Sequence, residues 1–383
     1  MHHKQNCIYF LSDRPCKFHK KNVLVTCDNC KFYYPISKKI LIIKLAAIGD
    51  VLRTTSILKP IFRKYKSPRI FWITYDDALD VLKNNPYIYE VIPFSKSFNI
   101  FNQNFDILIN LDLDSSALSL TKQINATEKV GFYLNSEDEI VCSNNAAEYW
   151  FDLSHNDILK KKNKRTYQEC MLEILGIQNL KLNDYPIILQ LTQQEKEFAK
   201  SFYKQQIGRQ NKKFLLIGLN LGGGDKWQKK EYPVSSTIKL IKYILKNEKK
   251  LGKEIKILLF GGKKEKQRNQ QIVSSLQNYV VDKKLIDTGC DNSLREFFAL
   301  VNLCDILITS DTLALHVAVG LRKKVLALFG PTSSSEIELY KLGKKIITPL
   351  DCYSCYRRVC NKKPDCMESI SPQNIFKELR KII

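Results

Sequence analysis

Apolar runs of strand length recur in the first half of the chain, and each is followed by a stretch with helical spacing. The first three runs are KKILIIKL, RIFWITY and FDILINLD, at residues 38–45, 69–75 and 105–112. Strands that are buried on both faces of a parallel sheet form nearly continuous apolar runs of this kind. Because helical stretches such as 51–65 separate the runs, the pattern predicts βαβ units and a parallel sheet.

A second series of strands and helices follows a more polar middle segment. Its apolar runs lie at residues 214–220, 255–262, 285–289, 305–311 and 324–332. We expect the run at 324–332 to be the last strand, and the stretch at 186–195 to be a strand that leads into a helix at 194–205. Ser293 is expected to begin one helix and Gly176 to end another.

The two series, of about 150 residues each, predict an α/β protein with two Rossmann-like domains that face a cleft. We place the N-terminal domain at residues 38–190 and the C-terminal domain at residues 191–383. Residues 1–37, which are rich in Cys, Lys, Asn and Tyr, form a separate small extension.

Composition and charge narrow the class of protein. Hydrophobic residues make up 44% of the 383 residues and charged residues 26%, which is typical of globular proteins and excludes a collagen-like or disordered chain. The chain has no run of 18 apolar residues and no apolar signal region in its first residues, so we expect a cytoplasmic protein without a transmembrane helix.

Sixty-one Lys and Arg against 39 Asp and Glu give a net charge of +22. This charge attracts phosphorylated ligands, anionic membranes or nucleic acid, although a generally Lys-rich composition explains it equally well.

Polar residues and glycines stand at the carboxyl ends of five predicted strands. The segments are AIGD, NLGGGDKW, FGGKKE, SDTLALH and FGPT, at residues 47–50, 220–227, 260–265, 310–316 and 329–332. In open α/β sheets, ligands bind beyond the carboxyl ends of the strands. Five such segments in two series therefore predict a ligand site.

The first segments carry a carboxylate and a glycine run with lysines. Asp50 follows a loop with one glycine, which is neither a dinucleotide fingerprint nor a Walker A loop. Its carboxylate can act as a general base on a sugar hydroxyl, or it is a first-turn acid favoured by the helix dipole. Gly222, Gly223 and Gly224 let backbone N–H groups approach phosphate, and one of the lysines that follow, Lys226, Lys229 or Lys230, can neutralise it. The alternative is a flexible turn with surface lysines.

The later segments add candidates for nucleoside and anion binding. Glu265 can accept the two hydroxyls of a ribose, or it belongs to a solvated helix face. Asp311 is expected to cap a helix whose free N–H groups, with the Thr312 hydroxyl, form an anion site. His316 lies five residues further along that helix and is either part of the site or a hydrogen-bonded core residue.

These motifs together resemble those of glycosyltransferase family 9, the ADP-heptose:lipopolysaccharide heptosyltransferases. The similar segments are ILIIKLAAIGDVLRTTSILKPI, NLGGGDKWQKKEYP, LLFGGKKE, ITSDTLALHVAVGLRKKVLALFGPT and CYSCYRRVCNKKPDCMESISP. The resemblance extends from about Lys38 to Ile383. It implies a GT-B fold and an inverting transfer of heptose from ADP-heptose to a lipopolysaccharide core-type acceptor, with no metal or other cofactor required for catalysis.

The resemblance also assigns roles to single residues. It implies that Asp50 is the catalytic base, and that Lys230, in a motif where Tyr replaces the family's Trp, binds the donor phosphate. Glu265 falls on the family's nucleoside-binding acid. Asp311 and Thr312 fall on an Asp-Ser/Thr-Gly segment whose glycine is Leu here, and His316 falls on the family's His. These residues and the glycine run form the predicted donor site.

The acceptor side is predicted in less detail. We assign acceptor binding to Arg53, Thr54 and Thr55, which follow the catalytic Asp in the same segment. The expected acceptor is an anionic glycolipid, so we expect the protein to work at the inner face of the cytoplasmic membrane and to bind no nucleic acid. One alternative keeps the fold but transfers a sugar to a protein or another surface glycan. Another is a zinc-containing nucleic-acid-binding protein, which leaves the five strand-end segments unexplained.

Eight of the twelve cysteines form two clusters. Cys16-x2-His19 followed by Cys27-x2-Cys30 has the spacing of a zinc knuckle, and Cys7 makes five candidate ligands for four positions. We expect a structural zinc ion there, because so small a segment would hardly fold without a metal, whereas unligated thiols are the alternative.

The second cluster lies near the C-terminus. Its members are Cys352, Cys355, Cys360 and Cys366. It resembles a motif of the same family, and its spacing suits a second zinc or an iron ion as well as it suits packed thiols or disulfides.

Overall fold

The protein divides into two compact units that are not simple halves of the chain. The computed structural model describes residues 3–11, 13–178, 181–208, 214–223 and 228–383. The first unit consists of Met1–Ala47, Ser56–Phe151 and Met171–Leu180, and the second of Ile48–Thr55, Asp152–Cys170 and Lys181–Ile383. The extension thus belongs to the first unit. The segment after the first strand, which carries Asp50, belongs to the second.

The first unit is built on a six-stranded sheet in the order β3-β2-β1-β4-β5-β6. Its strands are β1 (Lys39–Ile43), β2 (Arg69–Thr74), β3 (Glu90–Pro93), β4 (Asn104–Asn110), β5 (Asn125–Leu134) and β6 (Ile140–Cys142). All neighbours are parallel except β5 and β6, which are antiparallel. The central strands β1, β2 and β4 come from the three predicted apolar runs, and their side chains form much of the core.

The second unit contains another six-stranded sheet, in the order β12-β11-β10-β7-β8-β9. Its strands are β7 (Leu215–Asn220), β8 (Ile255–Leu259), β9 (Leu285–Asp287), β10 (Ile306–Ser310), β11 (Lys324–Phe329) and β12 (Gly343–Ile347). Every pair is parallel, and the order is that of a doubly wound Rossmann sheet. The prediction of an α/β protein with two parallel sheets is confirmed.

Helices connect the strands in both units. They are α1 (Lys17–Lys21), α2 (Ile48–Thr54), α3 (Leu58–Tyr65), α4 (Leu79–Leu82), α5 (Ser115–Gln123), α6 (Asn145–His155), α7 (Asp157–Lys162), α8 (Tyr167–Ile174), α9 (Gln193–Phe202), α10 (Val234–Lys246), α11 (Lys266–Ser275), α12 (Gln277–Val281), α13 (Leu294–Val301), α14 (Leu313–Gly320) and α15 (Pro372–Ile382). Among the described residues, no helix has the length and apolar character that crossing a bilayer requires.

Two helix ends follow the sequence signals. The Ser293 hydroxyl accepts the N–H of Glu296, whose carboxylate in turn accepts the N–H of Ser293, so this capping box begins α13. Gly176, with a φ of +68°, ends the α8 turn, and its N–H donates to the Glu173 carbonyl.

Two expectations about strands were wrong. The run at 324–332 is not the last strand, because β12 follows it at the sheet edge, where the half-polar sequence GKKII gives no strand signal. The stretch at 186–195 is not a strand, although Ile188 within it is buried. Its N–H donates to the Thr55 hydroxyl at 2.8 Å rather than to a neighbouring strand.

The extension packs on aromatic rings and is fastened to the sheet of the first unit. Phe18 stacks on Phe32 with ring centroids 4.1 Å apart. The Arg69 guanidinium, on β2, donates to the Cys7 carbonyl at 2.8 Å, and Cys7 also forms a backbone bridge with Pro35. These contacts attach the described part of the extension to the sheet of the first unit.

Candidate active site

The helix α2 presents Asp50 beside a buried arginine. An Arg53 nitrogen lies 2.9 Å from Oδ1 of Asp50, at the i, i+3 spacing that puts both side chains on one face of the helix. The Arg53 guanidinium is buried and lies over the Tyr167 ring, 3.8 Å from its centroid. Burial alone would lower the pKa of Arg53, but the charge of Asp50 raises it, so this cation persists.

A glycine allows α2 to approach α14 closely. A Cβ atom at Gly49 would lie 2.9 Å from Cδ2 of His316, which is closer than real Cβ atoms come. The backbone immediately before Asp50 therefore lies against the His316 ring. A larger residue at this position would have to push the two helices apart or displace the ring.

His316 is a neutral imidazole at physiological pH. Burial, and next the positive charge of Arg53, lower its pKa to about 4, although Asp311 and Asp50 act in the opposite direction. The side chain is thus buried among the charged residues Arg53, Asp311 and Asp50, and its part in the site stays a prediction.

A second ion pair joins Lys230, which follows the glycine run, to Asp311 of the segment SDTLALH. The Nζ atom of Lys230 lies 2.7 Å from Oδ2 of Asp311 and also donates to its backbone carbonyl at 3.1 Å. The Thr332 hydroxyl, from the FGPT segment, donates to the same carboxylate at 2.8 Å. Burial raises the pKa of Asp311, but Lys230 outweighs it and the pKa lies below its ordinary value.

Asp311 does not cap the helix as predicted. The N-cap of α14 is Thr312, whose side chain makes no cap hydrogen bond. The Asp311 carboxylate accepts hydrogen bonds from Lys230 and Thr332. The Thr312 hydroxyl instead donates to the Asn220 side chain, at the end of β7, at 3.4 Å. The carboxyl ends of β7 and β10 thus meet at this helix N-terminus.

The glycine run and Glu265 meet at the ends of β7 and β8. A Cβ atom at Gly222 would lie 2.7 Å from Oε1 of Glu265, so a larger residue at this position would have to displace the Glu265 side chain. The other oxygen of Glu265 accepts the N–H of Gly262 at 2.9 Å. Gly223 is buried beside Gly222, and Gly224 lies outside the described residues. A carboxylate held against a strand end can accept ribose hydroxyls.

Two further residues, Glu336 and Tyr356, were not found from the sequence. Glu336 interacts electrostatically with Arg53 and forms a hydrogen bond with Tyr356. The Tyr356 hydroxyl donates to Oε1 of Glu336 at 3.0 Å and accepts the N–H of Ser333 at 3.3 Å. Burial raises the pKa of Glu336, while Arg53 and the Tyr356 hydrogen bond lower it to a smaller extent. Neither residue stands in a strand-end motif, although Tyr356 lies within the cysteine-rich segment CYSCYRRVCNKKPDCMESISP.

The three residues that were assigned to the acceptor make contacts within the second unit. Arg53 pairs with Asp50, and the Thr54 hydroxyl shares a hydrogen bond of 2.6 Å with the Tyr167 hydroxyl. The Thr55 hydroxyl donates to the Leu52 carbonyl. These contacts hold α2 in place, and acceptor binding by the three residues stays a prediction.

The N-terminal cysteines surround one cavity. Five candidate ligands line this space of about 390 Å³: Cys7, Cys16, His19, Cys27 and Cys30. The eight cysteines of the two clusters are free thiols, and Cys366 of the second cluster is buried, which raises its pKa to about 12. In the part of the chain that the structure describes, no group of three or more His, Cys, Asp or Glu side chains is arranged to hold a metal ion.

The motifs and the two parallel sheets can be compared with known proteins. A family model described as "Glycosyltransferase family 9 (heptosyltransferase)" matches residues 99–365, more than half of the chain. The chain belongs to glycosyltransferase family 9. This family-9 protein is therefore a glycosyltransferase, as the sequence motifs predicted.

Relatives of this family-9 protein extend over nearly its whole length. Lipopolysaccharide heptosyltransferase 1 from Campylobacter coli is 24% identical over 377 residues, which cover 90% of this chain and 98% of the relative. The crystal structure of a family 9 glycosyl transferase from Veillonella parvula has a TM-score of 0.73 at 19% identity and covers 91% of this chain and 98% of its own. The E. coli ADP-heptose lps heptosyltransferase II has a TM-score of 0.65 at 17% identity, with 90% and 98% covered. The two structures share the fold.

Proposed function

We propose that this glycosyltransferase moves a heptose from ADP-heptose to a lipopolysaccharide core-type acceptor, with inversion at the anomeric carbon and without a catalytic metal. The family description, the Campylobacter coli relative and the E. coli structure support this donor and acceptor by their names. The observation that carries the proposal is the cluster in the second unit that joins Asp50, Arg53 and His316 to Asp311 and Lys230.

In this proposal, the Asp50 carboxylate is the general base. It accepts the proton of the acceptor hydroxyl while that oxygen bonds to the anomeric carbon and the bond from this carbon to the diphosphate breaks. The ion pair with Arg53 orients the carboxylate, and the stacking of Arg53 on Tyr167 orients the guanidinium in turn. A neutral His316 adds no positive charge beside the base.

The leaving ADP gains negative charge, which the donor side of the cluster must stabilise. Lys230, the Thr312 hydroxyl and the N–H groups that begin α14 are suited to this, since they combine a cation with a helix N-terminus. Asp311, whose carboxylate also accepts the Thr332 hydroxyl, holds the Lys230 ammonium group in position. Glu265, which packs against Gly222, would accept the ribose hydroxyls.

A transfer assay with a matched pair of variants tests the base. The substrate is ADP-heptose, the acceptor is a lipopolysaccharide core fragment without heptose, and the product is measured by mass spectrometry. Asp50→Asn should lower the transfer rate about 10²-fold or more, because the proton acceptor is removed, while ADP affinity measured by calorimetry stays unchanged. The control is Asp157→Asn, which breaks another i, i+3 pair, with Lys160 at 3.3 Å on α7, and should keep the full rate.

The outcome of this assay separates the proposal from its alternatives. A rate in Asp50→Asn close to that of the wild type would refute the role of Asp50. Transfer to a protein or to another glycan, with none to the core fragment, would favour the alternative acceptor. Calorimetry with UDP and GDP tests the donor, since binding of either in place of ADP would exclude ADP-heptose.

We also propose that the N-terminal cluster holds a structural zinc ion. Five candidate ligands line one cavity, and the Nδ1 atom of His19 bonds to the Val25 carbonyl at 2.9 Å. Ligating histidines commonly donate their second ring nitrogen to a carbonyl, which leaves Nε2 for the metal. A second zinc or iron ion at the C-terminal cluster is proposed from its spacing alone.

Metal analysis of the purified protein tests the two clusters separately. A Cys27→Ser/Cys30→Ser variant should lose one equivalent of zinc, whereas a Cys352→Ser/Cys355→Ser variant should lose the metal of the second cluster. Equal metal content in the wild type and a variant would refute the corresponding site. Neither metal takes part in the proposed transfer step.

A further inference from the structure

The extension exposes two apolar side chains at the tip of a turn. Val23 and Leu24 are 70% and 76% exposed and directly follow α1. They lie between the Cys16–His19 pair and the Cys27–Cys30 pair in the sequence. Scattered exposed apolar residues are common, but two adjacent ones at a turn that is held rigidly need an explanation.

Hydrogen bonds hold this turn in place. The Leu24 N–H donates to the Asn22 side chain at 3.0 Å, and the Asn29 amide group donates to the Leu24 carbonyl at 3.1 Å. The Asn29 oxygen also accepts the N–H of Thr26 at 2.8 Å. Because both ends of the turn are tied in this way, its two apolar side chains are kept in solvent.

Two lysines stand just before the turn, and the extension as a whole is basic. Lys20 and Lys21 are exposed in the last turn of α1 and immediately precede it. The six basic residues of the segment 3–37 outnumber the two acidic ones: Lys4, Arg14, Lys17, Lys20, Lys21 and Lys31 against Asp13 and Asp28. An apolar tip beside lysines matches the boundary between acyl chains and anionic phosphate groups.

We propose that residues 20–24, the membrane-contact turn, insert Val23 and Leu24 into the interface of an anionic bilayer while Lys20 and Lys21 bind lipid phosphates. The proposal rests on the proposed function, because a lipid-anchored acceptor requires the enzyme to reach a membrane surface. Two side chains bury too little area for a stable protein partner, for which about 1,000 Å² is needed. For a membrane a small apolar tip suffices, since the lysines add electrostatic attraction.

Vesicle sedimentation with the full-length protein tests this surface. The probes are vesicles of phosphatidylcholine with and without phosphatidylglycerol. Val23→Ser/Leu24→Ser should weaken binding to the anionic vesicles about tenfold or more, and Lys20→Glu/Lys21→Glu should weaken it and reduce its salt dependence. The matched control is Val281→Ser, since Val281 is 80% exposed at the end of α12 in the other unit and should not affect binding.

Activity on a deacylated, lipid-free acceptor distinguishes this proposal from the proposed function. The turn variants should retain wild-type transfer and an unchanged circular dichroism spectrum, which shows that the loss of vesicle binding is not a folding defect. Equal vesicle binding by Val23→Ser/Leu24→Ser and the wild type would overturn the membrane-contact turn, as would an equal loss in Val281→Ser. If the wild type binds vesicles through the turn but transfers no heptose to the lipid-free acceptor, the proposed function fails instead.

Discussion

The neutral His316 predicts a specific dependence of stability on pH. The perturbation is the replacement His316→Gln, which keeps a polar side chain of similar length and removes the titration. In the folded protein, burial and then Arg53 lower the pKa of His316 from 6.5 to about 4. A histidine with a lowered pKa stabilises the folded state above its unfolded pKa, and this contribution is lost as the pH falls.

The magnitude follows from the two pKa values. Each pKa unit is about 1.4 kcal/mol of free energy, so the fall from 6.5 to about 4 corresponds to about 3 kcal/mol. We expect this loss in the wild type between pH 6.5 and pH 4, and not in His316→Gln. The nearby Asp50, Arg53, Asp311 and Lys230 are present in both proteins, so the difference between them reports the histidine together with its effect on the pKa of Asp311.

Urea denaturation at pH 7, 6, 5 and 4 measures the free energy of unfolding of both proteins. Hydrogen exchange of the α14 amides gives the same quantity locally, since His316 lies on this helix. The control is Val281→Gln at the exposed end of α12, which should change neither the free energy of unfolding nor its dependence on pH. If the wild type and His316→Gln lose stability in parallel down to pH 4, His316 is not held neutral by its surroundings and the reasoning is refuted.

Three further substitutions test the close contacts of the second unit. Gly49→Ala should lower the free energy of unfolding by about 1–3 kcal/mol and slow transfer at least about tenfold, because the new Cβ would meet His316. Adding His316→Ala should recover part of this stability loss. If the effects of the two substitutions on the free energy of unfolding are simply additive, the contact is contradicted. Gly222→Ala should weaken ADP binding, measured by calorimetry, because the new side chain displaces Glu265. The midpoint of urea denaturation checks that the fold is retained. An unchanged ADP affinity would argue against a role of Gly222 and Glu265 in nucleotide binding. Ser293→Ala should cost about 1 kcal/mol in urea denaturation without changing transfer, since it removes only the cap of α13, and an effect on transfer would contradict this purely structural role.

The central strands of both sheets could be predicted because burial on both faces demands apolar side chains at every position. The runs that became β1, β7 and β10 are examples, and their side chains are almost entirely buried. The edge strands could not be predicted in this way. The β12 strand has partly exposed side chains, so its sequence carries no continuous apolar run.

The candidate donor residues could also be found from the sequence, since parallel strands bring their carboxyl ends to one edge of a sheet. This rule located Glu265 and Asp311 at the ends of separate strands, whereas the family resemblance singled out Lys230, and the structure pairs Lys230 with Asp311. It did not foresee that Asp311 would leave the N-cap position. A carboxylate and an ammonium group 2.7 Å apart in a buried site stabilise each other more than a solvated cap would.

The sequence by itself determined the family, the two parallel sheets and the candidate base Asp50, because each depends on residues that are close together along the chain. Only the tertiary structure decided what surrounds that base. Tyr167 meets Arg53, and Tyr356 meets Glu336, because the fold brings distant segments into contact. Such contacts depend on the path of the whole backbone. Burial in the folded protein then shifts the pKa values of the enclosed residues, as it lowers the pKa of His316.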